Sequence, residues 1–171
     1  KDRPPVGASK VAVSADYFRG LGIPLLQGRA FNERDTVDSP GVLIISESLA
    51  HQLWPNESAL GKRLDINLPG ETWREVVGVV GDVRQSDLNA PLAAAIYEPY
   101  SQVSDKIRWS LGDITFVIRT TSEPQNFITT LRSELQTVNK ELPLHNVATM
   151  EQVVAKQVTD PAYAYMMTHV L

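Results

Sequence analysis

EVVGVVGDVR, running from Glu75 to Arg84, is the stretch whose reading decides the fold. Val76, Val77, Val79, Val80 and Val83 crowd it with β-branched side chains, which suit a pleated backbone and disfavour a helix. Both side-chain parities are apolar, so the spacing predicts a strand covered on both faces and interior to a sheet. Gly78 and Gly81 admit two readings: close approach of a ligand, or a bulge or packed neighbour that leaves no room for a Cβ. The second is the expectation, because strand glycines usually serve that purpose. A phosphate cradle would need a helix N-terminus directly after the glycines, and Asp82-Val83-Arg84 does not read as one.

Outward from this segment, Arg63 to Leu68 (RLDINL) alternates with period two, and Pro69-Gly70 supplies a turn. The pair 63–68 and 72–83 therefore reads as a hairpin. Val42 to Ile45 reads as a short buried strand. Ser46 caps a helix from Glu47 to Trp54, with Leu49, Ala50, Leu53 and Trp54 on its apolar stripe and His51 off it. Ahead of these, Lys10 to Val13 alternates. Ser14 is placed to cap a short helix over Ala15 to Gly20, with Gly22 to end it. Ile23-Pro24 forces extended chain through Leu25 and Leu26, and Gly28 turns it. Ala95 to Tyr97 reads as a short strand closed by Pro99. Ile114 to Thr120 (ITFVIRT) reads as a second strong strand. A helix then starts at a Ser122/Gln125 capping box with Pro124 in its first turn, and Phe127, Ile128, Leu131, Leu135 and Val138 form its buried face. With Leu144 to Val147 as a strand, this makes a β-α-β unit, hence a parallel pair. Thr149 and Gln152 repeat the capping box for a last helix. The fold class is α+β, a mixed α/β arrangement.

Bulk properties exclude several functions. The chain has 171 residues, 43% apolar and 21% charged, enough to bury a core without disulfides. Its net charge of −4 and scattered basic residues argue against a nucleic-acid partner. The absence of cysteine excludes disulfides and thiolate metal sites. The opening Lys1-Asp2-Arg3-Pro4-Pro5 has no apolar region behind it, and no run reaches a membrane span. The closing PAYAYMMTHVL, Pro161 to Leu171, is more apolar. Tyr163, Tyr165, Met166 and Met167 fit either the core of a last helix or the approach to a membrane helix, where aromatic residues collect. The abrupt stop favours the approach.

No reaction is legible. There is no G-x-S-x-G elbow, no S-x-x-K and no GxGxxG. His51, His145 and His169 stand far apart, and His145 reads as an ordinary strand histidine. Gly61-Lys62 is not a phosphate loop, since Arg63 replaces the Ser or Thr and Asn56 the first glycine. Glu33, Asp35 and Asp38 lack the order of a calcium loop and are expected to form a solvated surface loop. Trp54, Trp73 and Trp109 read as packing or interface anchors. Catalytic, cofactor and metal residues: none are expected.

Several segments together resemble a known family. VSADYFRGLGIPLLQGRAF (Val13 to Phe31), VLIISESLAHQLWPNESALGKRL (Val42 to Leu64), EVVGVVGDVR and IYEPY (Ile96 to Tyr100) follow one another as in the MacB-like periplasmic core domain of ABC transporter permeases. The likeness runs nearest to the duplicated permeases abundant in acidobacteria. LRSELQTVNKELPLHNVATMEQVV is similar to that family's last helix-strand-helix before a membrane span. The resemblance implies a non-catalytic extracytoplasmic domain at the inner membrane, with transmembrane helices, a cytosolic ATPase and an adaptor or cargo as partners, and no cofactor. It implies a porter-like lobe from 10–32 with 112–160, a smaller inserted lobe at 40–105, and 161–171 leading to a transmembrane helix. A further strand-helix-strand upstream would complete the porter-like lobe. The alternative is a stand-alone periplasmic ligand-binding module, which would need a concave pocket with convergent polar groups.

Overall fold

The computed structural model describes residues 7–66, 73–83, 93–103, 114–140 and 146–159. Six strands make one mixed sheet: β1 (Ser9–Val13), β2 (Leu25–Gly28), β3 (Val42–Ser46), β4 (Arg63–Leu64), β5 (Arg74–Val80) and β6 (Ala95–Pro99). The order across it is β1-β6-β3-β5-β2, with β4 also pairing with β5. β1 runs parallel to β6 and β3 parallel to β5, whereas β3–β6, β2–β5 and β4–β5 are antiparallel. The valine-rich strand is interior, as its two apolar parities require.

Why both parities are apolar is now visible. The β3–β5 register passes from Leu43↔Val76 to Ile44↔Gly78, so Val77 is the extra residue of a bulge. An extra residue reverses which face each later side chain meets. Val76 and Val79 accordingly join Ile45, Leu49 and Ala59 on the face packed by helix α2 (Glu47–Leu53). Val77 and Val80 meet Phe18, Ile44 and Tyr97 on the face packed by helix α1 (Tyr17–Leu21). At Gly78 a Cβ would sit 2.5 Å from the Arg29 carbonyl oxygen, and at Gly81 one would sit 3.0 Å from Pro24 Cγ. The glycines serve packing, as expected.

Ser46 caps α2: its Oγ accepts from the Leu49 amide at 3.4 Å and from the Ala95 amide at 3.0 Å. Asp82, just past β5, adds a second acceptor at the same helix start, taking the Ser48 amide at 3.0 Å. Two carboxylate or hydroxyl acceptors there satisfy donors that the helix itself cannot.

Elsewhere the structure corrects the sequence reading. α1 begins at Tyr17, not Ala15. Ser14 offers only its carbonyl, to the Tyr17 amide, and Asp16 at the N-cap turns its carboxylate to Arg19. Gly22 ends the helix in the left-handed conformation, φ 72°, as expected. The 63–68 strand shortens to Arg63–Leu64, which pairs antiparallel with Glu75 and Arg74. Asp65 and Ile66 carry no strand, and the Pro69-Gly70 turn lies outside the described residues.

The larger correction concerns the β-α-β unit. Residues 114–120 join no ladder, and Ile114, Phe116, Val117 and Ile118 are exposed. Leu144 and His145 lie outside the described residues, while Asn146 is left-handed at φ 54°, so no parallel pair forms among the described residues. Helix α3 (Pro124–Val138) forms, yet buries no residue: Ile128, Leu131 and Leu135 are half-buried, and Phe127 and Val138 are exposed. Its N-cap is Glu123, without a side-chain bond, because Ser122 pairs with Thr120 instead. Strand propensity expresses packing against neighbours, and among the described residues no strand pairs with 114–120. In the last helix, α4 (Met150–Thr159), both halves of the expected capping box close: the Thr149 amide donates to Gln152 Oε1 at 3.0 Å, and the Gln152 amide to Thr149 Oγ1 at 3.3 Å. β1 and β2 pair into the same sheet as β3, β5 and β6, and from 114–120 Arg119 Nε donates to the Gly20 carbonyl at 3.1 Å.

Candidate functional site

Among the described residues, buried charged side chains centre on two ion-paired groups, one at Asp35 and one at Glu98. Asp35 belongs to the acidic loop expected to be solvated; instead it is buried. Arg29 forks onto it, Nη1 to Oδ2 and Nη2 to Oδ1 both at 2.8 Å, and the Asn32 amide adds a third donor at 2.9 Å. Burial alone would raise the Asp35 pKa. The Arg29 fork and the Asn32 amide overcome that and hold it below the usual carboxylate value. Ser101 Oγ donates to the Asp35 carbonyl, clipping the loop to the 3₁₀ turn Tyr100–Gln102. Glu33 and Asp38 are exposed and stay away from this clip.

The second cluster joins four elements. Lys10 on β1 meets Glu98 Oε1 on β6 at 2.8 Å, and Arg74 on β5 approaches Glu98 Oε2 at 3.6 Å. Arg74 also donates to Gln102, through Nη1 to Oε1 at 3.2 Å and Nη2 to the carbonyl at 3.4 Å. Gln102 Oε1 takes the Val42 amide at 3.0 Å, and its Nε2 serves Thr36 O, Ser39 Oγ and Pro40 O at 3.1, 2.8 and 3.1 Å. Gly41 makes room for this arrangement, since a Cβ there would lie 2.9 Å from Arg74 Cγ. Buried charges are tolerated when paired, and these hold each other in place; Glu98 Oε2 has Arg74 at ion-pair distance and no hydrogen bond.

His51 is exposed on α2, 3.8 Å from Glu47, as expected, and His145 and His169 lie outside the described residues. Among the described residues no three potential ligands could hold a metal ion. Tyr17 is a poor proton donor at neutral pH: burial, then the neighbouring Tyr97, pushes it up to about 12. Sequence reasoning singled out neither Arg74, Glu98 nor Gln102. The available signal was one charge inside the apolar strand AIYEP, but its partners are distant in sequence.

The described residues also line surface concavities. One, of about 360 Å³, lies between α2 and β2 and is lined by Leu26, Gln27, Ala50, Trp54, Ala59 and Val79. Another, of about 300 Å³, sits where β1 and β6 end, against Phe31, Pro99 and Tyr100. Exposed apolar side chains, by contrast, concentrate on 114–154, among them Ile114, Phe116, Phe127, Val138 and Met150. Among the described residues no helix is long and apolar enough to cross a membrane.

A mixed sheet packed by helices on both faces, with paired charges inside it, defines an α+β domain. The MacB-like periplasmic core domain family matches the chain over residues 2–157, and the chain belongs to that family. The domain therefore lies on the periplasmic side of the inner membrane, as a periplasmic domain of the ABC transporter permease class. It is 32% identical over 113 residues to the macrolide export ATP-binding/permease protein MacB of Aggregatibacter actinomycetemcomitans, covering 65% of this chain and 17% of that protein. It is 28% identical over 155 residues to the same-named protein of Agrobacterium fabrum, covering 87% and 23%. The crystal structure of the periplasmic region of MacB from Actinobacillus actinomycetemcomitans matches with a TM-score of 0.56 at 25% identity, over 77% of this chain and 56% of that one. The chain thus spans under a quarter of the curated relatives' length.

Proposed function

We propose that this domain is a mechanical relay: it carries ATP-driven motion of an export permease to an adaptor or cargo outside the membrane, without chemistry of its own. In this reading its partners are the transmembrane helices of the permease, a cytosolic ATPase and the adaptor or cargo. Residues 112–160 contribute to a porter-like lobe, and 161–171 lead to a transmembrane helix. The observation that carries the reading is the pairing of the buried charges among the described residues. Buried Asp35 is held by Arg29, and buried Glu98 by Lys10 and Arg74, which ties β1, β5 and β6 together. A rigid body transmits displacement, whereas a hydrolase needs an activated group in a cleft.

The test has two arms. The parent open reading frame is expected to carry apolar runs of about 20 residues flanking this segment. In membranes bearing that parent protein, a cross-link immobilising the domain is expected to abolish export while ATP hydrolysis continues. Export that survives the cross-link overturns the reading, as does saturable binding of a small molecule by the isolated chain that accounts for its role.

A further inference from the structure

Helix α1 ends by handing one carbonyl to a distant partner. The Gly22 amide donates to the Phe18 and Arg19 carbonyls, and the Ile23 amide to that of Phe18 at 2.8 Å. The Gly20 carbonyl instead accepts from Arg119 Nε at 3.1 Å, across 99 positions of chain. A helix cannot satisfy its last carbonyls by itself, and basic side chains are suited to doing so. The helix's own Arg19 is turned to Asp16 at 2.8 Å. Gly22 completes the seat: a Cβ there would lie 3.1 Å from Arg119 Nη2, so the guanidinium rests over a residue without a side chain.

Both sides of this contact are stiff. Phe18 fixes α1 in the core, its ring centroid 5.0 Å from that of Tyr97 and 6.1 Å from that of Phe31. Beyond Arg119, Thr120 Oγ1 accepts from the Ser122 amide at 3.1 Å and pairs with Ser122 Oγ at 3.0 Å, a tight turn that leads into α3 at Pro124. Arg119 therefore stands at the root of a 15-residue helix about 22 Å long. The contact itself is exposed. Among the described residues 114–120 joins no ladder, and α3 buries no side chain. Water competes for both partners of a solvent-facing hydrogen bond, which is a small part of a domain's stability, so it opens without unfolding either side.

We propose that Arg119 and the Gly20–Gly22 end of α1 form a releasable latch. Closed, it fixes the angle between α3 and the sheet; open, it lets α3 swing while each keeps its fold. The latch is a property of this chain alone and stands on the geometry at α1. Its failure leaves the relay reading to the cross-linking test.

The experiment measures distances between two spin labels in the 171-residue chain, which has no cysteine of its own. Gln52→Cys on α2 and Thr130→Cys on α3, both exposed, carry the labels. With Arg119 in place, the distribution is expected to be one narrow peak that broadens at least twofold in urea below the unfolding midpoint. Arg119→Ala is expected to give the broad distribution without urea and with the melting curve unchanged. Arg132→Ala, which removes an exposed arginine of α3, is expected to leave the peak narrow. An Arg119→Ala distribution as narrow as that of the parent chain overturns the latch, as does equal broadening by Arg132→Ala. A peak that stays narrow up to global unfolding, or a lowered melting transition in Arg119→Ala, makes the contact a fixed part of the fold and overturns its release.

Discussion

At the residue scale, Gly78 and Asp35 show how little room the central sheet leaves. Gly78→Ala would press a methyl against the Arg29 carbonyl, a backbone atom that a rotamer change cannot move aside. Overpacking of this kind costs about 1–3 kcal/mol. Urea denaturation is expected to show that loss, while Gly20→Ala, which meets nothing within 4 Å, shows almost none. Asp35 gives a pH signature. Its folded pKa lies below its unfolded value, so its contribution is present above about pH 4 and is lost as pH falls through the folded pKa. Asp35→Asn is expected to lower stability by about 1–3 kcal/mol at pH 7. That gap should narrow as pH falls through the folded pKa and the native carboxylate also loses its charge; a gap of the same size at every pH would show that the Arg29 fork contributes nothing electrostatic.

At the element scale, Gln102 ties the 3₁₀ turn to the start of β3 and to the 36–40 loop through a single amide. Gln102→Leu fills the space but strands the Val42 amide and an Arg74 donor, and each buried unpaired group costs about 1–3 kcal/mol. Thermal unfolding should therefore fall by several degrees, and Gln102→Glu should not restore it, because the carbonyls of Thr36 and Pro40 would then face a carboxylate. The helices divide differently. α2 is capped by Ser46 and Asp82 and packed through Leu49, whereas α3 has no side-chain cap and no buried residue. Helical stability comes mostly from packing an amphipathic face. Amides of α3 are expected to exchange at least a hundredfold faster than those of β3 and β5; equal protection would contradict the burial pattern.

At the scale of the whole molecule, two regions are built on different terms. The sheet spanning residues 9–99 closes two apolar clusters around β5, while 114–154 keeps Phe116, Ile118, Phe127 and Val138 at the surface. Contiguous exposed apolar side chains mark surfaces that meet another component. The native chain is expected to enhance the fluorescence of an apolar dye, and Phe116→Ser with Ile118→Ser to reduce that signal at least twofold without shifting the main unfolding transition. A shifted transition would mean these side chains already support the sheet.

The sequence alone determined the local elements whose cause is local. Five valines and two glycines specify an interior strand, Ser46 and Pro55 bracket α2, and the Thr149/Gln152 pair closes its own cap. The family likeness was also legible, because its motifs are runs of neighbouring residues. Only the tertiary structure decided which strand lies beside which, that Val77 bulges, and that Asp35 is buried on Arg29. It alone joined Lys10, Arg74, Glu98 and Gln102, whose mutual distances along the chain leave no periodic trace. It also withheld strand pairing from ITFVIRT, since a β-branched run becomes a strand only when a neighbouring backbone answers its hydrogen bonds.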